Sequence, residues 1–392
     1  MGNYSIRRAL FPLSKSRRKT GQQAPERPHE MELTGPHLLD TPAAYDRHDP
    51  TGMGTRLLSL PEQAKSGWIV GEKFSQAPAP VESVLIAGMG GSAIGGDMIK
   101  GLADLEKGNA QITTWRDYGL PGWVDDQTLI VAISVSGETV ETRSAFATAA
   151  ERGARRIALT GPGPLLSEAR RAEAEFAEIE WKAEPRAALG YTFVAPYRAL
   201  QRLGALADAS DDFEPAVQEL EELAAAMAIE APVDENIAKQ IAIELGDRLP
   251  VILSARHLIP VAMRWKTQFN ENADAWAAWE AAPDVGHNMI QAALGSNASE
   301  SSLYVLALKP ATPSAAVSEA IDISLQLLSE HHVPNLVLDI TAPNPLGEVL
   351  SGALMGDMVS YYSAILRARN PSATANLTAM KSRLDPMSAE RS

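Results

Sequence analysis

The strongest constraint in this chain is a buried strand that runs straight into glycine. Residues 84–87 are Val, Leu, Ile and Ala, and Gly88, Met89, Gly90, Gly91, Ser92, Ala93, Ile94, Gly95 and Gly96 follow at once. Four apolar residues without polar alternation describe a strand covered on both faces, the kind found in parallel sheets between helical layers. The glycines break the strand and open a helical pattern, which gives the strand–loop–helix unit of a doubly wound fold. The same pattern recurs. Residues 110–115, 129–134, 156–160 and 176–181 read as further strands, with a helix over 139–153. A helix over 212–229 follows, and Glu230, Ala231 and Pro232 mark a boundary. Strands then resume at 249–253, 303–308 and 336–340, with a long helix over about 258–280 and another over 316–331. The expected fold is α/β: two doubly wound αβα subdomains with mainly parallel sheets, over 51–211 and 233–385, joined by a helical linker over 212–232. No sequence repeat proves a duplication.

Composition narrows the function. With 392 residues, the chain has ample length for two cores. It has no cysteine, so disulfides, thiolate metal sites, iron–sulfur clusters and thiol nucleophiles are excluded. A net charge of -14 repels nucleic acid and anionic membrane unless a local basic patch opposes it. Trp265, Trp276 and Trp279 read as helix packing and not as base-stacking platforms, so no nucleic-acid partner is expected. No apolar run approaches the roughly 20 residues of a spanning helix, so no membrane partner is expected either. Arg7, Arg8, Lys15, Arg17, Arg18 and Lys19 lack the apolar stretch of a secretory signal. Residues 1–50 therefore read as a disordered tail, with Met31 as an alternative start, and 386–392 as a second tail. The expected compartment is the cytoplasm. His331 and His332 are adjacent and no H-E-x-x-H occurs, which argues against a metal; no G-x-S-x-G occurs, which argues against a serine hydrolase.

The glycine loop alone has several readings. Gly88, Gly90 and Ala93 satisfy G-x-G-x-x-A, and Asp117 ends the next strand where a ribose-binding acid would stand. Another phosphate or sugar ligand fits equally, because glycines let backbone N–H groups approach an anion. Tight strand–helix packing is the third reading. The loop after residues 129–134 favours the phosphate. It reads Ser134, Val135, Ser136, Gly137, Glu138, Thr139 and opens a helix. Three hydroxyls beside free N–H groups at a helix start form a neutral cradle for a phosphate monoester. The simpler role for Ser136 or Thr139 is a helix cap.

S-x-S-G-x-T after a strand, preceded by G-M-G-G-S, resembles the sugar isomerase (SIS) domain. Further ordered motifs extend the likeness over more than 300 residues: Tyr118 to Pro121, Pro185 to Tyr191, Arg264-Trp265-Lys266, Asn270-Glu271-Asn272-Ala273, Gly286-His287-Asn288 and Gly356 to Tyr362. Together they resemble the bifunctional phosphoglucose/phosphomannose isomerase family. The resemblance implies two SIS subdomains and interconversion of an aldose 6-phosphate with fructose 6-phosphate, without metal or cofactor. It also implies a homodimer whose active sites draw on both subunits. It makes Gly91, Ser92, Ser134, Ser136 and Thr139 the sugar-phosphate loops. It makes Arg186 the active-site arginine, Glu271 the base, His287 the ring-opening histidine and Lys381 the C-terminal active-site lysine.

Three departures bear on substrate preference and rate. Asp284-Val285-Gly286 stands where the family usually has Glu-Leu-Asn, Glu138 stands in place of Asn, and Asn370 to Thr374 replaces Asp-Pro-Thr-Pro. The competing functions are a non-catalytic SIS protein that senses a sugar phosphate, and half of a glucosamine-phosphate enzyme. The second lacks the cysteine that its glutaminase would need. Glu271, His287, Arg186 and Lys381 together favour the isomerase.

Overall fold

The computed structural model describes residues 6–7, 36–75, 81–107, 110–293 and 302–388. Its ten described strands are β1 (Ile6–Arg7), β2 (Ser83–Ala87), β3 (Gln111–Trp115), β4 (Thr128–Ser134), β5 (Arg156–Thr160), β6 (Glu175–Glu178), β7 (Leu249–Ala255), β8 (Ala278–Ala282), β9 (Leu303–Pro310) and β10 (Asn335–Ile340). They form two five-stranded sheets, ordered β3-β2-β4-β5-β6 and β8-β7-β9-β10-β1. Every pair is parallel except β1 with β10, where Ile6 lies opposite Leu338. The first four places of the two sheets follow one topology. The duplication that the sequence does not prove is thus visible in strand order. All seven residues of β4 are buried, as expected of a central parallel strand with a continuous apolar run.

The helix Pro345–Leu366 binds the halves together. Every residue from Leu346 to Ile365 is buried. It crosses the helix Ile259–Asn272, whose Trp265 donates Nε1–H to the Gly352 carbonyl at 2.8 Å. A Cβ on Gly356 would stand 2.2 Å from that same nitrogen, so the crossing requires glycine. This helix corrects the expectation that no apolar run approaches membrane-spanning length. It is long and apolar enough, but 94% of its most apolar window is buried inside the protein. It is the axis of the core.

Four further expectations change. From Pro36 on, the supposed tail is ordered and partly core. Leu38, Leu39 and Ala44 are buried, and the Tyr45 hydroxyl donates to the Leu39 carbonyl at 2.7 Å. Asp49 accepts from the Met53 and Gly54 N–H groups at 2.7 and 2.9 Å and from the Tyr361 hydroxyl at 3.0 Å. A few apolar residues placed against the central helix outweigh the polar composition. Residues 8–35, with Met31 and most of the basic cluster, lie outside the described residues. The expected linker helix, observed as Ser210–Ala226, buries Phe213, Val217, Leu220 and Leu223 and packs on the central helix, so it is a core element and not a tether. The long helix over 258–280 stops at Asn272. Asp274 turns the chain with φ 49, and β8 follows. Trp265 alone packs within a helix; Trp279 lies on edge strand β8 and Trp276, in the preceding turn, is 84% exposed.

Candidate active site

Both phosphate-type loops stand at the carboxyl ends of neighbouring strands β2 and β4, where doubly wound sheets bind ligands. After β2 the backbone turns at Gly90 with φ 51 and ψ -121, a conformation reserved for glycine, and the helix Gly91–Ala103 begins. A Cβ on Gly91 would lie 2.9 Å from the Arg186 backbone nitrogen and Cα. The glycine therefore lets this loop meet the turn Pro185–Ala187 directly. Ser92 is buried at the start of the helix.

After β4, Ser134 and Thr139 join hydroxyls at 3.0 Å across the loop. The Gly137 N–H donates to Ser134 Oγ at 3.1 Å, and the Glu138 N–H donates to Ser136 Oγ at 3.2 Å. Thr139 occupies the N-cap of the helix Val140–Glu151, yet its side chain makes no capping bond. Its hydroxyl bonds Ser134 instead, and by accepting there it keeps its proton for a ligand. The reading of Thr139 as a simple cap therefore fails, and the first-turn N–H groups keep no side-chain cap. Ser136 and Glu138 are exposed, so Glu138 does not fill the cradle.

Arg186 is 4% exposed. Its Nη1 stands 3.3 Å from Glu271 Oε2, its Nε donates to Asn272 Oδ1 at 2.8 Å, and its Nη2 donates to the Pro371 carbonyl at 2.5 Å. Burial pushes the guanidinium below its ordinary pKa, and the Glu271 carboxylate opposes that shift. Glu271 itself is 28% exposed, so its carboxylate has access to the site. Arginine and glutamate come from different halves: Arg186 from the segment after the first sheet, and Glu271 from the end of the helix that follows β7.

Two expected site residues stand apart. His287 ends the short turn Asp284–His287 beyond β8 and is exposed. Lys381 lies on the exposed helix Ala375–Ser388. Among the described residues neither forms a hydrogen bond or ion pair with Arg186 or Glu271. Among the described residues no group of three or more histidine, aspartate or glutamate side chains is placed to hold a metal ion.

Sequence reasoning gave no role to Asn272, Arg264, Asp357 or Arg56. Arg264 forms a bidentate pair with Asp357, at 2.9 Å from Nε to Oδ1 and 2.6 Å from Nη2 to Oδ2. Burial pushes the Asp357 carboxyl above its ordinary pKa, against the pull of Arg264. The signal was available: Asp357 is a charged residue in the middle of an otherwise apolar helix, and such residues are paired. Arg56 grips Glu184 at 3.0 Å and Ser372 at 3.0 Å, so it ties both flanks of the arginine pocket to the early helix Met53–Leu58. No motif points to it.

Two doubly wound sheets, a hydroxyl-lined strand-end loop and a buried arginine against a carboxylate describe an α/β protein with a site suited to a small phosphorylated ligand. Residues 234–384 match the bacterial phospho-glucose isomerase C-terminal SIS domain. The chain is 31% identical over 347 residues to the bifunctional phosphoglucose/phosphomannose isomerase of Caldicellulosiruptor bescii, covering 83% of this chain and 97% of that one. It is 26% identical to the enzyme of the same name from Aquifex aeolicus, over 80% of this chain and 93% of that one. A glucose-6-phosphate isomerase like protein from Thermus thermophilus shares the fold, with a TM-score of 0.56 at 18% identity over 87% of this chain and 98% of that one. The chain belongs to the bifunctional phosphoglucose/phosphomannose isomerase family.

Proposed function

We propose that this isomerase interconverts glucose 6-phosphate and mannose 6-phosphate with fructose 6-phosphate. The observation that carries the reading is the Glu271 carboxylate, accessible and 3.3 Å from the buried Arg186. Aldose–ketose exchange moves one proton between C1 and C2 while charge develops on the adjoining oxygen. Glu271 takes the proton from one carbon and returns it to the other. Arg186, permanently charged and held in place, stabilises the enediolate. The loop of Ser134, Ser136 and Thr139 holds the phosphate by hydroxyls and helix N–H groups. Gly91 and Ser92 give the sugar backbone a close approach.

Ring opening needs a further proton carrier, and His287 fits by type. Its exposure in the single chain, like that of Lys381, supports a homodimer in which each site takes His287 from the partner subunit. The reading extends to a cytoplasmic enzyme of carbohydrate metabolism, on the path of glycolysis or gluconeogenesis, with neither nucleic acid nor membrane as partner.

Coupled assays of fructose 6-phosphate formation, one from each aldose phosphate and with and without EDTA, test the assignment. Turnover of both substrates, unchanged by the chelator, is the expected result. Tight sugar-phosphate binding without any turnover would instead make the protein a sensor. For assembly, Glu271→Gln and His287→Ala subunits are mixed under verified exchange. Activity should return to at most about a quarter of wild type, because half the dimers are mixed and each has one intact site. No return would place His287 in its own subunit or outside catalysis.

A further inference from the structure

Arg186 is held by a closed ring of buried hydrogen bonds, none of them made to the substrate loops. Arg264 Nη2 donates to the Arg186 carbonyl at 2.7 Å and forks onto Asp357. Gln268 Nε2 donates to the same Asp357 carboxylate at 2.8 Å. One turn along the central helix, the Ser360 hydroxyl donates to the Asp357 carbonyl at 2.8 Å and accepts from Asn272 Nδ2 at 3.0 Å. Asn272 Oδ1 then accepts from Arg186 Nε at 2.8 Å and closes the ring. Arg186, Arg264, Asn272, Asp357 and Ser360 are each at most 4% exposed.

The polarity of this ring is fixed at every step. Arg186 Nε is only a donor, so the Asn272 carbonyl oxygen faces it and the amide nitrogen faces Ser360. The serine has one proton to give, and it goes to Asp357. Charge is balanced locally, Arg264 by Asp357. The Arg186 charge is therefore left for Glu271 and the substrate. With Nε committed to Asn272 and Nη2 to Pro371, the Nη1 edge alone faces the carboxylate.

We infer that Arg264, Asp357, Ser360 and Asn272 are positioning residues, which set the angle and distance of Arg186 Nη1 against Glu271 and the developing enediolate. The inference rests on the isomerase reading above. Arrangements of this kind act on rate because a misplacement of about 1 Å costs on the order of a hundredfold.

The test is Ser360→Ala, which deletes one buried hydroxyl and cuts the ring two hydrogen bonds away from Arg186, with Arg264→Lys as a second break. Wild-type turnover is measured first. Then kcat and KM for fructose 6-phosphate are separated for each variant, with folding checked by the thermal midpoint. Fructose 6-phosphate binding is compared in a Glu271→Gln background with and without Ser360→Ala. The expected result is a kcat about tenfold lower for Ser360→Ala and lower still for Arg264→Lys, with KM and the binding constant within about twofold. Such a split is not produced by a merely structural bond. An Ser360→Ala enzyme with wild-type kcat, or one whose loss lies entirely in KM, overturns the positioning role while leaving the isomerase intact. An inactive wild type overturns the isomerase reading, and the positioning role falls with it.

Discussion

The two sheets share a strand order and place opposite chemistry at matching points. At the end of β2, the chain turns through Gly90 and leaves an open loop; at the end of β7, it turns through Arg256 with φ 53 and inserts His257. His257 Nε2 meets Glu348 Oε2 at 2.8 Å, and both side chains are 4% exposed. The place proposed for a ligand in the first half is filled in the second half by a buried pair. The loops after β4 and β9 differ in the same way. Ser314 caps its helix by accepting from the Val317 N–H, whereas Thr139, at the corresponding start, bonds Ser134 instead. The helix ends reverse the order. After β7 the helix finishes on Glu271 and Asn272, while after β2 it finishes on buried Leu102 and Ala103. Under the proposed reading, one half supplies the binding loops and the other supplies the Glu271 carboxylate.

The sharpest test of this division is Glu271→Gln. Removing the base should lower kcat by roughly 10²–10⁴-fold, while sugar-phosphate affinity stays within a few-fold. An active variant would end the assignment. Next in size is the cradle. Ser136→Ala and Thr139→Ala each remove a hydrogen bond to a charged phosphate, worth roughly 1.5–3 kcal/mol, so titration should show about ten- to a hundredfold weaker binding per residue. Undiminished binding of sugar phosphates by the double variant would put the phosphate elsewhere. At the matching loops of the second half, after β7 and β9, the effects should fall on stability alone. Glu348→Ala strips His257 of its partner, and its Nδ1 has none among the described residues. Denaturant melts should show a loss of about 1–3 kcal/mol with KM unchanged. A shift in KM would mean that this pocket still sees substrate. The smallest effect belongs to Ser314→Ala, about 0.5–1 kcal/mol from the lost cap and none in affinity. A change in sugar-phosphate affinity there would contradict the contrast with Thr139.

The strands were the most legible part of the molecule. The runs at 129–133 and 304–308 are apolar because they are buried on both faces, and period and burial agree there. The site was half legible. Gly91, Ser134, Ser136 and Thr139 announce themselves because a run of glycines after a strand and clustered hydroxyls are local features. Arg186 and Glu271 lie 85 residues apart, and spacing carries no trace of their contact; only the resemblance singled them out. Asn272 and Ser360 were invisible in the same way, since each completes a bond whose partner is chosen by a helix crossing. The helix boundary at Asn272 was missed because Trp276 and Trp279 continue an apolar pattern that in fact changes to strand. Leu38, Leu39 and Tyr45 were hidden by the polar residues around them.

The central helix also sets a timetable for synthesis. Every described helix that Pro345–Leu366 packs against, including Met53–Leu58, Ser210–Ala226, Ile237–Leu245 and Ile259–Asn272, leaves the ribosome before it does. At about 5–20 residues per second, the apolar face of Ser210–Ala226 waits roughly seven to thirty seconds for the helix that covers it. Half-made chains therefore carry an open apolar groove along that helix until residue 366 has been added. Interrupted translation before that point yields sticky fragments with the strand order already written but nothing to close the middle.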